Sequence, residues 1–212
     1  MRIISGKYRR RKLLSNTGQT TRPITDRAKE YLFEHIRFDI QDRRVLDAFS
    51  GTGSLGLEAI SRGSSSAVFI ENDFKAHGLL KRNLDSIGID EPTLCWRTDV
   101  LKTSFRPQNT EGLFPYNLVF FDPPYRLVPK LKPRTELYRC LERLGKETVT
   151  SSDVLLIFRV PEYAEFEMPE CWQLDRKLAI SSMELYLYRK PIAEEIVATE
   201  ESESPEIEEE TN

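Results

Sequence analysis

The sequence is poor in the residues that build metal centres, disulfide frameworks and histidine-driven active sites. Its three cysteines, Cys95, Cys140 and Cys171, are odd in number, far apart and without a C-x-x-C pair, and its only histidines are His35 and His77. That supply argues against a zinc site or a disulfide scaffold, so no metal is expected. Neither histidine lies in a nucleophile motif, which leaves little room for Ser-His-Asp or Cys-His chemistry. Apolar runs are short: none reaches the roughly 18 residues that span a bilayer. The opening Met1-Arg2-Ile3-Ile4-Ser5-Gly6 has no apolar signal core. These absences point to a cytoplasmic protein, with no membrane partner and taken as a monomer.

Basic residues are missing from one end. Residues 191–212 carry nine acids and no Lys or Arg, so the net charge of −3 hides a basic body. Residues 1–190 hold all 31 basic residues against 25 acids. The first 37 residues hold ten basic side chains (among them Lys7, Arg9, Arg10, Arg11, Arg22, Arg27 and Lys29) against three acids. A basic arm beside an acidic tail suggests a polyanionic partner such as RNA. The tail, with little apolar content, is expected to be disordered.

The composition of the whole 212-residue chain, 39% hydrophobic and 31% charged, suits one medium domain. Gly6-Lys7 between Arg2–Ser5 and Tyr8–Leu14 predicts a tight hairpin. Thr25 or Asp26 would cap a helix whose apolar face is Ala28, Tyr31, Leu32, His35 and Ile36. Strands are predicted at 45–49, 67–70, 93–96, 118–121 and 154–158, with helices after the first two and over 134–145. This alternation argues for a parallel sheet covered on both faces. Residues 172–180 and 183–188 are too close for a crossover helix and predict an antiparallel hairpin on the sheet edge. Three segments result: a basic hairpin and helix (1–37), an α/β domain (38–190) and an acidic tail (191–212).

Gly51-Thr52-Gly53-Ser54-Leu55-Gly56 satisfies G-x-G-x-x-G between a predicted strand and helix. Such glycines let a ligand approach the backbone. Glu71, followed by Asn72, lies twenty residues after Gly51 at the end of the second strand, where a carboxylate accepts from ribose hydroxyls. A nucleoside-containing cofactor is implied, but the glycines alone do not separate NAD from S-adenosylmethionine. NAD would set its pyrophosphate on the helix N-terminus. S-adenosylmethionine needs a carboxylate near its ammonium, which Asp47 can supply before Ser50 and the loop. Asp99 can accept from an adenine amino group while Val100 packs on the adenine face. Asp47, Glu71 and Asp99 thus lie at the C-terminal edges of three successive strands, the ligand edge of an open α/β sheet.

Asp122-Pro123-Pro124-Tyr125 ends the fourth strand. Two prolines stop the ladder and stiffen the turn. The chemistry suits an sp²-linked amine, whose lone pair is delocalised and poorly nucleophilic. Asp122 and the Pro123 carbonyl can accept its two N–H bonds, and Tyr125 can stack on a flat substrate. Positioning then supplies most of the acceleration, and a paired base must be unstacked to enter. Arg126, Lys130, Lys132 and Arg134 continue basic beside this corner and can guide phosphates.

Arg2–Gly6, Thr21-Arg22-Pro23-Ile24-Thr25-Asp26-Arg27, the run Asp47–Ala59 and Asp122–Tyr125 together resemble the RsmD-type bacterial 16S rRNA guanine-N2 methyltransferases. The resemblance spans residues 1 to about 160. It implies a Rossmann-like class I methyltransferase fold with a seven-stranded sheet, and S-adenosylmethionine bound at Gly51, Gly53 and Glu71. It also implies Asp122 as the catalytic carboxylate, and RNA of the small ribosomal subunit or its assembly intermediate approached by the hairpin and by Arg22, Thr25 and Arg27. The chain departs from the family pattern at Phe158-Arg159, where an acid is usual, and at Ala179–Ser182, where a glycine precedes the last strand. Other readings consistent with part of the pattern are an enzyme methylating adenine or a glutamine amide, a nicotinamide oxidoreductase and a non-catalytic RNA-binding module.

Overall fold

Short β-branched and aromatic runs alternate with helices amphipathic at 3.6-residue spacing, and the chain folds accordingly. The computed structural model describes residues 1–15, 24–180 and 182–191. The strands are β1 (Arg44–Ala48), β2 (Ser66–Ile70), β3 (Thr93–Trp96), β4 (Tyr116–Phe121), β5 (Thr150–Pro161), β6 (Gln173–Ile180) and β7 (Met183–Arg189). Helices are α1 (Asp26–His35), α2 (Ser54–Ser61), α3 (Phe74–Ile87) and α4 (Glu136–Leu144), with 3-10 turns at Arg37–Asp39 and Tyr125–Lys130.

The seven strands form one sheet in the order β3-β2-β1-β4-β5-β7-β6. β1 to β5 run parallel, and β7 enters antiparallel between β5 and β6. The chain winds outward from β1 to β3, then returns to place β4 against β1. That reversal is the topological switch point at which open α/β sheets bind ligands. Here Ala48 pairs with Phe121, so the loop after β1 and the corner after β4 leave the sheet side by side.

Apolar clusters cover both sheet faces. The first includes Ile3, Tyr8, Leu13, Ala28, Leu32, Phe33 and Ile36, so the described residues of the N-terminal arm and α1 share the core of the α/β sheet. Two expectations are corrected here. The N-terminal turn is wide rather than a tight Gly6-Lys7 hairpin: one antiparallel bridge joins Arg2 to Lys12, and Ile3 N donates to Arg11 O at 3.0 Å. The reason is that Gly6 (φ +87) and Lys7 are recruited by α2; Lys7 N donates to Ser61 O at 2.7 Å, and a Cβ on Gly6 would stand 1.7 Å from that oxygen. In α1, Thr25 is the cap and accepts from Ala28 N, but Tyr31 is 40% exposed while Lys29 is fully buried. Lys29 therefore does not belong to the basic surface. The Arg22 position and all of the acidic tail except Pro191 lie outside the described residues.

Candidate active site

The glycine loop is shaped by two left-handed glycines with different surroundings. A Cβ on Gly53 (φ +85) would come 2.5 Å from Leu80 Cδ1, whereas one on Gly51 (φ +57) would meet nothing within 4 Å. Gly53 serves packing against α3; Gly51 faces open space, the cradle a ligand needs. Gly56 is also a packing glycine, since its Cβ would stand 2.4 Å from Phe69. Ser50 is tied inward, its N–H and hydroxyl both donating to Ile70 O.

Two further residues hold the loop, and sequence reasoning missed their roles. Phe49 adopts φ +63, a conformation that costs a non-glycine residue on the order of 1 kcal/mol. It packs edge-on to Phe121 at 5.3 Å, which locks the end of β1 to the end of β4. Asn83, fully buried on α3, donates to Thr52 O at 2.9 Å and exchanges two hydrogen bonds with the backbone of Leu14. A buried amide on an otherwise apolar helix face was the only sequence signal for it. A third residue whose role was missed, Arg159, acts instead at the corner after β4.

Asp47 is buried at the end of β1 and accepts from Gly56 N at 2.8 Å. Burial, with the nearby charges of Asp122 and Glu71, pushes its carboxyl up to about 8. Among the described residues no cation holds this buried acid ionised, so the site fits a ligand carrying positive charge. Glu71 accepts from Gly51 N at 2.8 Å and from Asp73 N at 2.7 Å, pinning the loop to the end of β2. Asn72 beside it is exposed.

Asp99 lies three residues beyond β3, in a turn where its Oδ1 accepts from Leu101 N at 3.0 Å. Val100 is buried. Helix α4 braces this turn: Cys140 Sγ–H donates to Val100 O, and Arg143 donates to the carbonyls of Leu101 and Thr103. Asp47, Glu71 and Asp99 thus occupy one edge of the sheet, as the alternation required.

At the corner after β4, Pro123 is buried and Asp122, Pro124 and Tyr125 are partly exposed. Arg159 on β5 donates from Nε to Asp122 Oδ1 at 2.7 Å, and its guanidinium lies 5.7 Å from the centroid of the Tyr125 ring. Burial pushes the Asp122 carboxyl up and Arg159 pulls it down, with the net above the ordinary value. The stretch from Arg126 is not a simple loop, because Tyr125–Lys130 forms 3-10 turns. Glu167 N donates to Leu131 O at 2.9 Å, which ties the segment after β5 to the end of these turns.

The basic residues divide. Arg9, Arg10, Arg11, Arg27 and Arg126 are exposed. Lys7 is bound to Glu91 at 2.8 Å and Asp90 at 3.1 Å, which favours its charged form. Thr25, also exposed, spends its side chain on the α1 cap. Among the described residues no cluster of His, Cys, Asp and Glu could hold a metal ion, and no helix is long and apolar enough to cross a membrane.

Comparison with known proteins places this geometry. A family model described as conserved hypothetical protein 95 matches residues 1–189. The chain is 30% identical over 188 residues to the ribosomal RNA small subunit methyltransferase D of Buchnera aphidicola, covering 88% of this chain and 91% of that protein. The solved structure of yhhF from Escherichia coli superposes with a TM-score of 0.71 at 29% identity, covering 90% of this chain and 97% of that one. An RNA methyltransferase from Salinibacter ruber, solved with S-adenosyl-L-homocysteine, shares the fold at 18% identity and a TM-score of 0.57, over 89% of this chain and all of that one. A match running almost end to end through the arm, the glycine loop and the proline corner shows that the chain belongs to the conserved hypothetical protein 95 family, the family of ribosomal RNA small subunit methyltransferase D.

Proposed function

We propose that this protein transfers a methyl group from S-adenosylmethionine to the exocyclic N2 of one guanine in 16S rRNA, acting on the small ribosomal subunit or its assembly intermediate. The observation that carries the reading is the Ala48–Phe121 register, which sets a ligand loop and an amine-accepting corner on adjacent strands. Membership of a family that includes a small-subunit rRNA methyltransferase supports the substrate class.

S-adenosylmethionine, when bound, supplies a methyl group on an already activated sulfonium. Gly51 would leave room for it, Glu71 would accept from its ribose, and Asp99 with Val100 would hold its adenine. Asp47 offers negative charge beneath the loop once a cation favours its ionised form. The protein's own task is to orient the amine. Asp122 and the Pro123 carbonyl accept the two N–H bonds of the guanine amino group and aim its nitrogen. Tyr125 and Pro124 flank the base after it leaves its stack. The exposed Arg9, Arg10, Arg11, Arg27 and Arg126 take phosphates, which position the RNA without reading its sequence. Residues 1–37 form the RNA-facing part, and 38–190 the transfer domain.

The test is to map methylated nucleotides in rRNA from cells with and without the protein. Loss of one N2-methylguanine in 16S rRNA is expected. Loss of an adenine methyl instead, or no change in rRNA, overturns the reading.

A further inference from the structure

The corner after β4 holds a side chain that the proposed reaction has not yet used. Arg159 is 7% exposed, lies on β5 beside the corner and gives its Nε–H to Asp122 Oδ1. Its guanidinium also stands against Tyr125. A buried arginine contributes a planar, fixed fork of donors, so it fixes a carboxylate in direction as well as in charge. The geometry points to Arg159 as a positioning residue for amine methylation: it clamps Oδ1 of Asp122 and so turns Oδ2 towards the substrate amine, with Tyr125 held alongside. This rests on the methyltransferase reading above.

Asp122 must accept N–H bonds, which requires the carboxylate. Burial opposes that form. Among the described residues, the charged or titratable groups near it include Arg159 from β5 and Asp47 from β1, with Tyr125 of the same corner against Arg159. Against burial, Arg159 supplies the charge and the hydrogen bond that favour the carboxylate of Asp122. On the far side of β5, Arg159 pairs in register with Leu185 of β7, whose neighbour Glu184 is taken by Lys177 at 2.8 Å. The hydrogen bond from Arg159 Nε to Asp122 Oδ1 runs between adjacent parallel strands, from β5 to the end of β4. Removing its charge would raise the pH at which Asp122 ionises, moving the acid limb of the rate profile upward.

The experiment compares native protein with Arg159→Met and Arg159→Lys, using methyl transfer to small subunits isolated from cells lacking the protein. Two further readouts are calorimetric S-adenosylmethionine affinity and a ¹³C carboxyl NMR titration of Asp122. In Arg159→Met, kcat at neutral pH should fall at least about tenfold, with the acid limb and the NMR titration both displaced upward by about one pH unit. Cofactor affinity should stay within about twofold, because the clamp acts on the amine side. Arg159→Lys keeps the charge but loses the fork, so kcat should fall while the limb stays near the native position. Should Arg159→Met fail to fold, Arg159→Lys decides alone: native kcat in that variant overturns the clamp. An Asp122 titration unmoved by Arg159→Met, or a loss of kcat matched by an equal loss of cofactor affinity, also overturns it. Native protein that transfers no methyl at all would instead sink the methyltransferase reading, while the NMR titration would still report the Asp122–Arg159 coupling.

Discussion

Lys29 of α1 and Glu58 of α2 form a 3.1 Å ion pair with both side chains fully excluded from solvent. Around it, Lys29 donates to Arg2 O and to Ser54, and Glu58 accepts from Ile4 N, Ser5 N and Arg62. One buried pair therefore binds the basic arm, α1 and the first turn of the helix that follows the glycine loop. Breaking it by Glu58→Gln leaves a buried lysine with a weaker partner and should destabilise the fold by roughly 3 kcal/mol. Lys29→Met with Glu58→Leu should be much milder in the core, because no charge is stranded, yet the arm loses its acceptors. Denaturant unfolding of the single and double variants checks the order. A double variant less stable than the single one would contradict this account of the pair.

Much of this was legible beforehand, and the limits are physical. Strands such as Val45–Ala48 and Leu118–Phe121 are short continuous apolar runs, so both their existence and their burial follow from pattern. The proline corner and the glycine loop announce themselves because backbone geometry restricts residue choice. Lys29, Asn83 and Arg159 were not legible in the same way. Each is a polar residue whose partner lies more than 25 positions away. Only tertiary contact decides between a solvated face and a satisfied buried group. The wide N-terminal turn escaped for the same reason, since Gly6 answers to Ser61 and not to its neighbours in sequence.

Asp47 makes cofactor binding dependent on pH. Its carboxyl, pushed up to about 8 in the free protein, holds a proton at neutral pH. A cationic ligand favours the ionised form, so binding releases that proton, and affinity should rise with pH until it levels off above about 8. Calorimetry of S-adenosylmethionine binding at neutral pH, in buffers of different ionisation enthalpy, measures the release. Asp47→Asn keeps an acceptor for Gly56 N and should bind with less proton release than the native chain. Equal release from both proteins would show that Asp47 is not the group that titrates.

Gly51 and Gly53 should respond differently to alanine. Both have positive φ, but only Gly53 has Leu80 in the way. Gly53→Ala should lose at least about 2 kcal/mol of stability through strain and overpacking together. Gly51→Ala should lose about 1 kcal/mol from strain alone, while its methyl group intrudes on the space left for the ligand. Thermal melts paired with cofactor titrations separate the two. A Gly51→Ala protein that binds S-adenosylmethionine as tightly as native would mean that Gly51 does not face the ligand.

The exposed arginines of the arm should govern RNA affinity without touching chemistry. Neutralising Arg9, Arg10 and Arg11 removes up to three phosphate contacts, and each contact releases counterions from the RNA. The slope of log affinity against log salt should therefore become shallower by about 2 to 3. Lys7→Gln should change the slope little, because Glu91 and Asp90 already compensate that charge. At saturating substrate, kcat of the triple variant should remain near native, since none of the three residues belongs to the corner that orients the amine. Filter binding across a salt series, with single-turnover rates at saturation, tests both halves. An unchanged slope in the triple variant would remove the arm from the RNA interface and transfer that role to Arg27 and Arg126.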